Sequence, residues 1–221
     1  MEGVDWRALH AETIVLGRGE WKPPRQEPQP GHLGYLVLEG IVLREVHVLE
    51  ECSLELLGEG DLLKPWLEDA ASFAASRWRV PERAKLAVLA PDVYRRLGTS
   101  PARIAAISDS AMLRSRALAV FAALTQFRRV EDRLEALFWY LAERWGKVVD
   151  DGAVAITLPL THEDIARLVS ARRPSVTTAF GQLAEAGTLV RTGPAWILRG
   201  SPPELAQPPT SPPKRQTLPS P

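Results

Sequence analysis

The chain has 221 residues, of which 45% are hydrophobic and 24% charged, the make-up of a globular protein of one or two domains with enough apolar material for a sizeable core. Its 27 basic and 27 acidic residues are unevenly spread: 20 against 23 over residues 1–151, 5 against 3 over 152–200, and 2 against 1 over 201–221. This is a weak electrostatic footprint for nucleic acid, so any such binding should be modest per chain and should use two copies. Cys52 is the only cysteine, which excludes an intramolecular disulfide and argues against an iron–sulfur cluster. There is no apolar run of about 18 residues and no basic, apolar leader at the start, so a cytoplasmic location and no membrane partner are expected.

Residues 1–30 read as a short helix, the run 13–16, and an extended proline-rich loop over 22–30. Two aliphatic and β-branched runs over 34–46 are joined at Glu39 and Gly40. Residues 53–57, the turn 58–61 and the run 84–89 follow, and the set reads as successive antiparallel strands with glycine-containing turns, a β-roll or barrel over 1–100. Trp66, Phe73 and Trp78 are candidates to line an effector pocket, although aromatics beside strands are more often core. His10, His32, His47 and His162 are scattered and form no ligand-spaced pair, so neither a metal site nor a haem ligand at His47 is expected.

From Pro101 the pattern turns helical, with no glycine or proline between 102 and 128. Ile104, Ile107, Ala111, Leu118 and Phe121 fall on heptad-like positions, while Leu113, Ala117, Val120, Leu124 and Phe127 form a second stripe. At about 1.5 Å per residue this helix would be roughly 40 Å long, enough for a dimerisation axis over 101–129. A core helix of a monomer is the alternative. Val130, Leu134, Leu137, Phe138, Leu141 and Trp145 then mark another amphipathic helix that stops before Gly146, and residues 150–152 turn the chain into a short strand over 153–158.

The segment 160–190, LTHEDIARLVSARRPSVTTAFGQLAEAGTLV, is the most specific part of the chain. Thr161 suits a helix N-cap, and Asp164 three positions on completes a capping-box pattern. Ile165, Ala166, Leu168 and Val169 bury one face of that helix. Pro174 fits only the first turn of a helix, so a second helix is predicted to start near Arg173. Val176, Phe180 and Leu183 make its buried stripe, which leaves Arg173, Ser175, Thr177 and Thr178 facing outward. Between Ile165 and Ala184 stand Arg167, Arg172 and Arg173 with no acidic residue, so the face can meet a polyanion without desolvating a carboxylate. Strands over 189–191 and 196–199 around Thr192-Gly193-Pro194 add a hairpin, making a winged helix-turn-helix over 130–200. Residues 201–221 hold 8 prolines with little apolar content and are expected to be disordered, with Lys214 and Arg215 at most a weak phosphate contact.

The pattern L-T-x-E-D-I-A-x-L-V-S-A-R-R-P-S-V-T resembles the DNA-binding domain of the Crp/Fnr family of bacterial transcription regulators, over about the last third of the ordered chain. The resemblance implies a homodimer whose second helix reads each half of a pseudo-palindromic site, with Arg173 at the principal guanine-reading position. Pro174 and Thr178 stand where well-known members carry a cytosine-reading glutamate and a second arginine, so the half-site should differ from theirs. More loosely, 34–63 is similar to the family's cyclic-nucleotide-type β-roll, yet the Arg-x-Ala segment that would hold a cyclic phosphate is missing. The expected fold is therefore α+β: an N-terminal antiparallel β-roll, a long dimerisation helix and a C-terminal winged helix-turn-helix.

On this reading the chain is no enzyme and needs no cofactor. Its DNA contacts are Thr161, Arg167, Arg172, Arg173, Ser175, Thr177 and Thr178, and its dimer contacts Ile104, Ile107, Ala111, Leu118 and Phe121. Its partners are double-stranded DNA, a second copy and, by the same resemblance, RNA polymerase, with an unidentified small-molecule effector left open. Two competing readings are a winged helix that docks on another protein and a cupin-like enzyme with an accessory winged helix. The latter needs clustered His and Glu ligands, which the linear sequence does not show.

Overall fold

A computed structural model describes residues 11–24, 28–67, 73–97, 101–149 and 152–202. The expected N-terminal helix, His10 and the tail with Lys214 and Arg215 lie outside these residues, as does the side chain of Ile104. Apolar side chains on alternating or fully buried strand positions build two four-stranded antiparallel sheets. One contains β1 (Thr13–Leu16), β8 (Ala84–Leu89), β3 (Gly34–Glu39) and β6 (Leu62–Leu63) in that order. The other orders β2 (Gly19–Trp21), β7 (Ala74–Val80), β4 (Val42–Val48) and β5 (Glu51–Leu57). Tyr35, Val37, Leu63 and Leu86 of the first sheet meet Val42, Leu57, Trp78 and Val80 of the second in a common core. This is the expected β-roll.

Two details differ from the sequence reading. The turn at Glu39 and Gly40 closes no hairpin, because β3 pairs with β8 and β6 whereas β4 pairs with β5 and β7. There the chain crosses between sheets, with Gly40 at φ 80° and its backbone against the β7–β8 turn: a Cβ would lie 2.1 Å from the Arg83 carbonyl oxygen. The hairpin turns instead beyond Val48, where Leu49 takes φ 55° and is almost fully solvated. The aromatic candidates also separate. Trp66 and Trp78 pack edge-on with Tyr35 and Trp21 inside the core, while Phe73 is 73% exposed.

Beyond α1 (Pro91–Leu97), helix α2 (Pro101–Leu124) runs 24 residues, about 36 Å. It stops short of the expected end, and Phe127, in the irregular turn that follows, is half exposed. The second predicted stripe packs inward at Val120 and Leu124, with Ala117 half-buried and Leu113 exposed, whereas the first forms no single face. Ile107 packs against the β-roll beside Leu36 and Leu89, and Phe121 meets Tyr140 edge-on, whereas Ala111, Leu113 and Leu118 stay exposed together with Met112.

Helix α3 (Val130–Trp145) buries Leu134, Leu137, Phe138 and Leu141. A third sheet follows in the order β11 (Leu189–Thr192), β12 (Ala195–Leu198), β10 (Val154–Ile156), β9 (Gly146–Val148), all antiparallel. It packs with α3, α4 (His162–Leu168) and α5 (Arg173–Glu185) in a core that also takes in Ile41, Leu43, Leu54 and Leu56 of the β-roll. The two halves therefore share apolar contacts. A polar seam runs alongside: Arg144 donates to the Glu59 carbonyl and pairs with Asp61, and Arg114 of α2 grips Glu55 with two hydrogen bonds. No described helix is long and apolar enough to cross a membrane.

Candidate nucleic-acid interface

The helix pair forms because each terminus is provided for locally. The Thr161 hydroxyl accepts from the Asp164 backbone N–H at 3.1 Å, and the Asp164 carboxylate accepts from the Thr161 N–H at 2.9 Å, a reciprocal capping box. Helix α4 ends at a turn in which Ser170 takes φ 49°. Arg133 of α3 holds that turn by donating to the carbonyls of Val169 and Ser170, both at 3.0 Å. Pro174 then sits in the first turn of α5, whose N-cap Arg172 supplies no side-chain cap. That leaves the first-turn N–H groups of α5 for another partner, at the end of the helix that favours anions.

Helix α5 buries Val176, Ala179, Phe180 and Leu183 and exposes Arg172, Arg173, Ser175, Thr177 and Thr178 on the opposite side. The Thr177 and Thr178 hydroxyls fold back on the carbonyls of Arg173 and Pro174, at 3.1 Å each, so they offer a lone pair or methyl outward more readily than a proton. No ion pair engages Arg172 or Arg173 among the described residues. Behind the helix an aromatic column fixes its depth: Phe180 stacks on Trp196 with ring centres 4.4 Å apart, and Phe138 closes on both.

One of the seven sequence-derived contacts is placed otherwise than expected. Arg167 points to the β-roll, where it donates to Glu45 at 2.7 Å, so it does not join the arginines of α5. Thr161 caps α4 as the sequence predicts, and its hydroxyl is engaged with Asp164 there.

Conversely, His162 and Arg191 belong to the face although sequence reasoning does not single them out. Together with Leu160, Thr161, Glu163 and Arg173 they line an open groove between α4, α5 and the hairpin. The His162 ring lies 3.0 Å from the Thr177 hydroxyl oxygen and 4.9 Å from Phe180, and burial, with Arg191 and Arg173 nearby, holds its pKa below the ordinary histidine value. Arg191 rests over Trp196 at 4.8 Å. The 15-residue separation of His162 from Thr177 carries no periodic signal; only the fold brings them together.

Residues 132–207 match the Crp-like helix-turn-helix domain family. The C-terminal domain is a Crp-like helix-turn-helix domain. The regulatory protein CysR of Synechococcus elongatus is 34% identical over 88 residues, which span 39% of this chain and 42% of that protein. Among solved structures, a CRP/FNR-family transcriptional regulator from Thermus thermophilus aligns over 86% of this chain and 94% of its own, at 20% identity and TM-score 0.61. A CooA variant from Carboxydothermus hydrogenoformans aligns over 87% and 85%, at 16% identity and TM-score 0.66. The α+β fold of these regulators thus extends beyond the Crp-like domain through the β-roll.

Proposed function

We propose that this protein is a sequence-specific DNA-binding transcription regulator that works as a homodimer on a pseudo-palindromic site. The observation that carries the reading is the outward side of α5. Arg172 and Arg173 stand at the helix N-terminus with no ion-pair partner among the described residues, beside Ser175, Thr177 and Thr178, and no acidic side chain follows before Glu185. An arginine at that position reaches guanine O6 and N7 in the major groove with two parallel hydrogen bonds, worth about 1–3 kcal/mol of base discrimination. Arg191 and His162 lie to one side, where the hairpin of a winged helix meets the sugar–phosphate backbone.

The dimer reading is supported by α2, which leaves the adjacent Met112 and Leu113 at least half exposed on the side away from Ile107 and Phe121, through which the helix is anchored. A second copy of the same helix would cover that surface. Insensitivity to cyclic nucleotides is supported by the β-roll interior, filled by Trp21, Tyr35, Trp66 and Trp78, and by the buried His32, whose Nδ1 accepts from Gly34 N–H at 3.0 Å. RNA polymerase is the partner such a regulator would meet on DNA.

Selection of bound sequences from a random duplex library, followed by gel filtration of the chain and of its complex, tests this reading. The expected outcome is an inverted repeat bound by two chains with affinity that falls steeply with salt. Binding that is absent or independent of salt would favour a winged helix that docks on protein.

A further inference from the structure

Histidine and cysteine are distant in kind from the DNA face, yet β4 and β5 place one of each directly opposite. In the antiparallel register His47 pairs with Cys52, and Glu45, two residues along β4, points to the same side. His47 Nε2 lies 3.7 Å from Cys52 Sγ and 3.6 Å from Glu45 Oε2, and the three donor atoms fall within 4.8 Å of one another. Tetrahedral Zn²⁺ with bonds of about 2.3 Å to sulfur and 2.0–2.1 Å to nitrogen or oxygen sets its ligands about 3.3–3.6 Å apart. The cluster thus needs shifts of a few tenths of an ångström at two of its edges and side-chain closure at the third. No backbone rearrangement is involved, because the turn beyond Val48 already fixes the hairpin.

The surroundings matter as much as the ligands. Glu45 turns its other oxygen, Oε1, to Arg167 of α4 at 2.7 Å and to Arg79 of β7 at 3.5 Å. Arg79 also pairs with Asp164, the capping carboxylate of α4. These ion pairs latch the first helix of the helix-turn-helix onto the β-roll. Burial pushes the pKa of the Cys52 thiol up, and Arg167 of α4 opposes that rise, so the site borders the latch.

We propose that Glu45, His47 and Cys52 form a site for a borderline-soft divalent transition-metal ion, Zn²⁺ by its donor set, and that occupancy is communicated to α4 through Glu45. On binding, Cys52 releases its thiol proton to solvent and Sγ bonds the ion. His47 contributes Nε2 and Glu45 contributes Oε2, leaving a fourth position for water. Before binding, Arg167 and Arg79 face a carboxylate of charge −1; afterwards they face a neutral assembly of two anionic ligands and a dication. The latch loosens, and α4, with α5 behind it, is less firmly held. This consequence rests on the DNA-binding reading; the metal site itself does not.

The test uses the full chain, stripped with chelator and dialysed. Titration with ZnCl₂ by calorimetry, and with CoCl₂ by absorption, should give one ion per chain and a thiolate-to-cobalt charge-transfer band. Cys52→Ser and His47→Ala should abolish both. Absence of saturable binding, or equal binding by those two variants, would overturn the site. In parallel, fluorescence anisotropy on the selected operator should show a severalfold shift on adding ZnCl₂ to the wild type. Glu45→Gln should show the same shift without zinc, and Cys52→Ser none. Zinc bound through these residues with an unmoved operator affinity would overturn the coupling to α4. If neither the apo-protein nor the zinc-loaded protein binds DNA, the DNA reading fails while the calorimetric result still decides the metal site.

Discussion

Arginines are treated in opposite ways on the two sides of the winged helix. Toward the β-roll, Arg79, Arg144 and Arg167 each meet a carboxylate across the seam: Asp164, Asp61 and Glu45 respectively. Toward solvent, Arg172 and Arg173 meet none among the described residues, because the sequence places no acid between Ile165 and Ala184. The same residue type therefore acts as internal mortar on one side and as a receptor for an external anion on the other. What decides between the two roles is the presence of a carboxylate within reach.

The largest effect tests the mortar. Asp164→Ala removes half of the capping box and leaves Arg79 only its longer contact to Glu45, and should cost about 2–3 kcal/mol of stability, seen as a lowered denaturant midpoint. A loss under about 0.5 kcal/mol would mean that the seam carries little of the fold. Next comes the receptor side: Arg173→Ala should weaken operator binding by about 1–3 kcal/mol and flatten the preference at one base pair per half-site in a library selection. Unchanged sequence preference would remove Arg173 from the reading role.

A finer contrast separates Arg172 from Arg167. Arg172→Ala should lower the slope of log affinity against log salt by about one per chain, as loss of a phosphate contact does. Arg167→Ala should leave that slope unchanged, since its partner is Glu45, and any shift in affinity should come from the loosened α4. Equal slope changes would place Arg167 on the DNA after all.

The smallest effect concerns His162. Burial first, then Arg191 and Arg173, lower its pKa in the folded chain, so the unfolded chain takes up the proton more readily. Stability contributed in this way is present above the unfolded value of about 6.5 and is lost as pH falls through the lower folded value. Relative to His162→Asn, the wild type should lose stability on acidification below about pH 6.5, with no pH-dependent difference near pH 8. Parallel pH profiles would show that the groove does not disfavour the charged ring.

The helix-turn-helix was legible because its signals are local: a cap at Thr161, a break after Val169, a first-turn proline at 174 and a buried stripe through Val176, Phe180 and Leu183. The middle of the β-roll was not. Strand β7 is central in its sheet, yet it reads AASRWRV, with Arg79 directed at carboxylates of other elements, so no run of β-formers marks it. The crossing at Gly40 reads like a hairpin because sequence adjacency cannot tell which sheet a strand joins. Arg167 is misplaced by sequence reasoning for a related reason. Its partner Glu45 lies 122 residues away, and no periodicity spans that distance. The cluster of Glu45, His47 and Cys52 is likewise a product of register across a turn.

One contact at the seam has a mechanical meaning. Gly58 lies flat beneath the Trp145 indole, where a Cβ would come within 2.9 Å of the ring. With no side chain at 58, the Trp145 ring at the end of α3 packs directly on the backbone. Arg144, the residue before Trp145, is tied to Glu59 and Asp61, so the same end of α3 is held by polar contacts as well. Any side chain at 58 would meet the Trp145 ring first, so that ring, and with it the last turn of α3, would have to move aside.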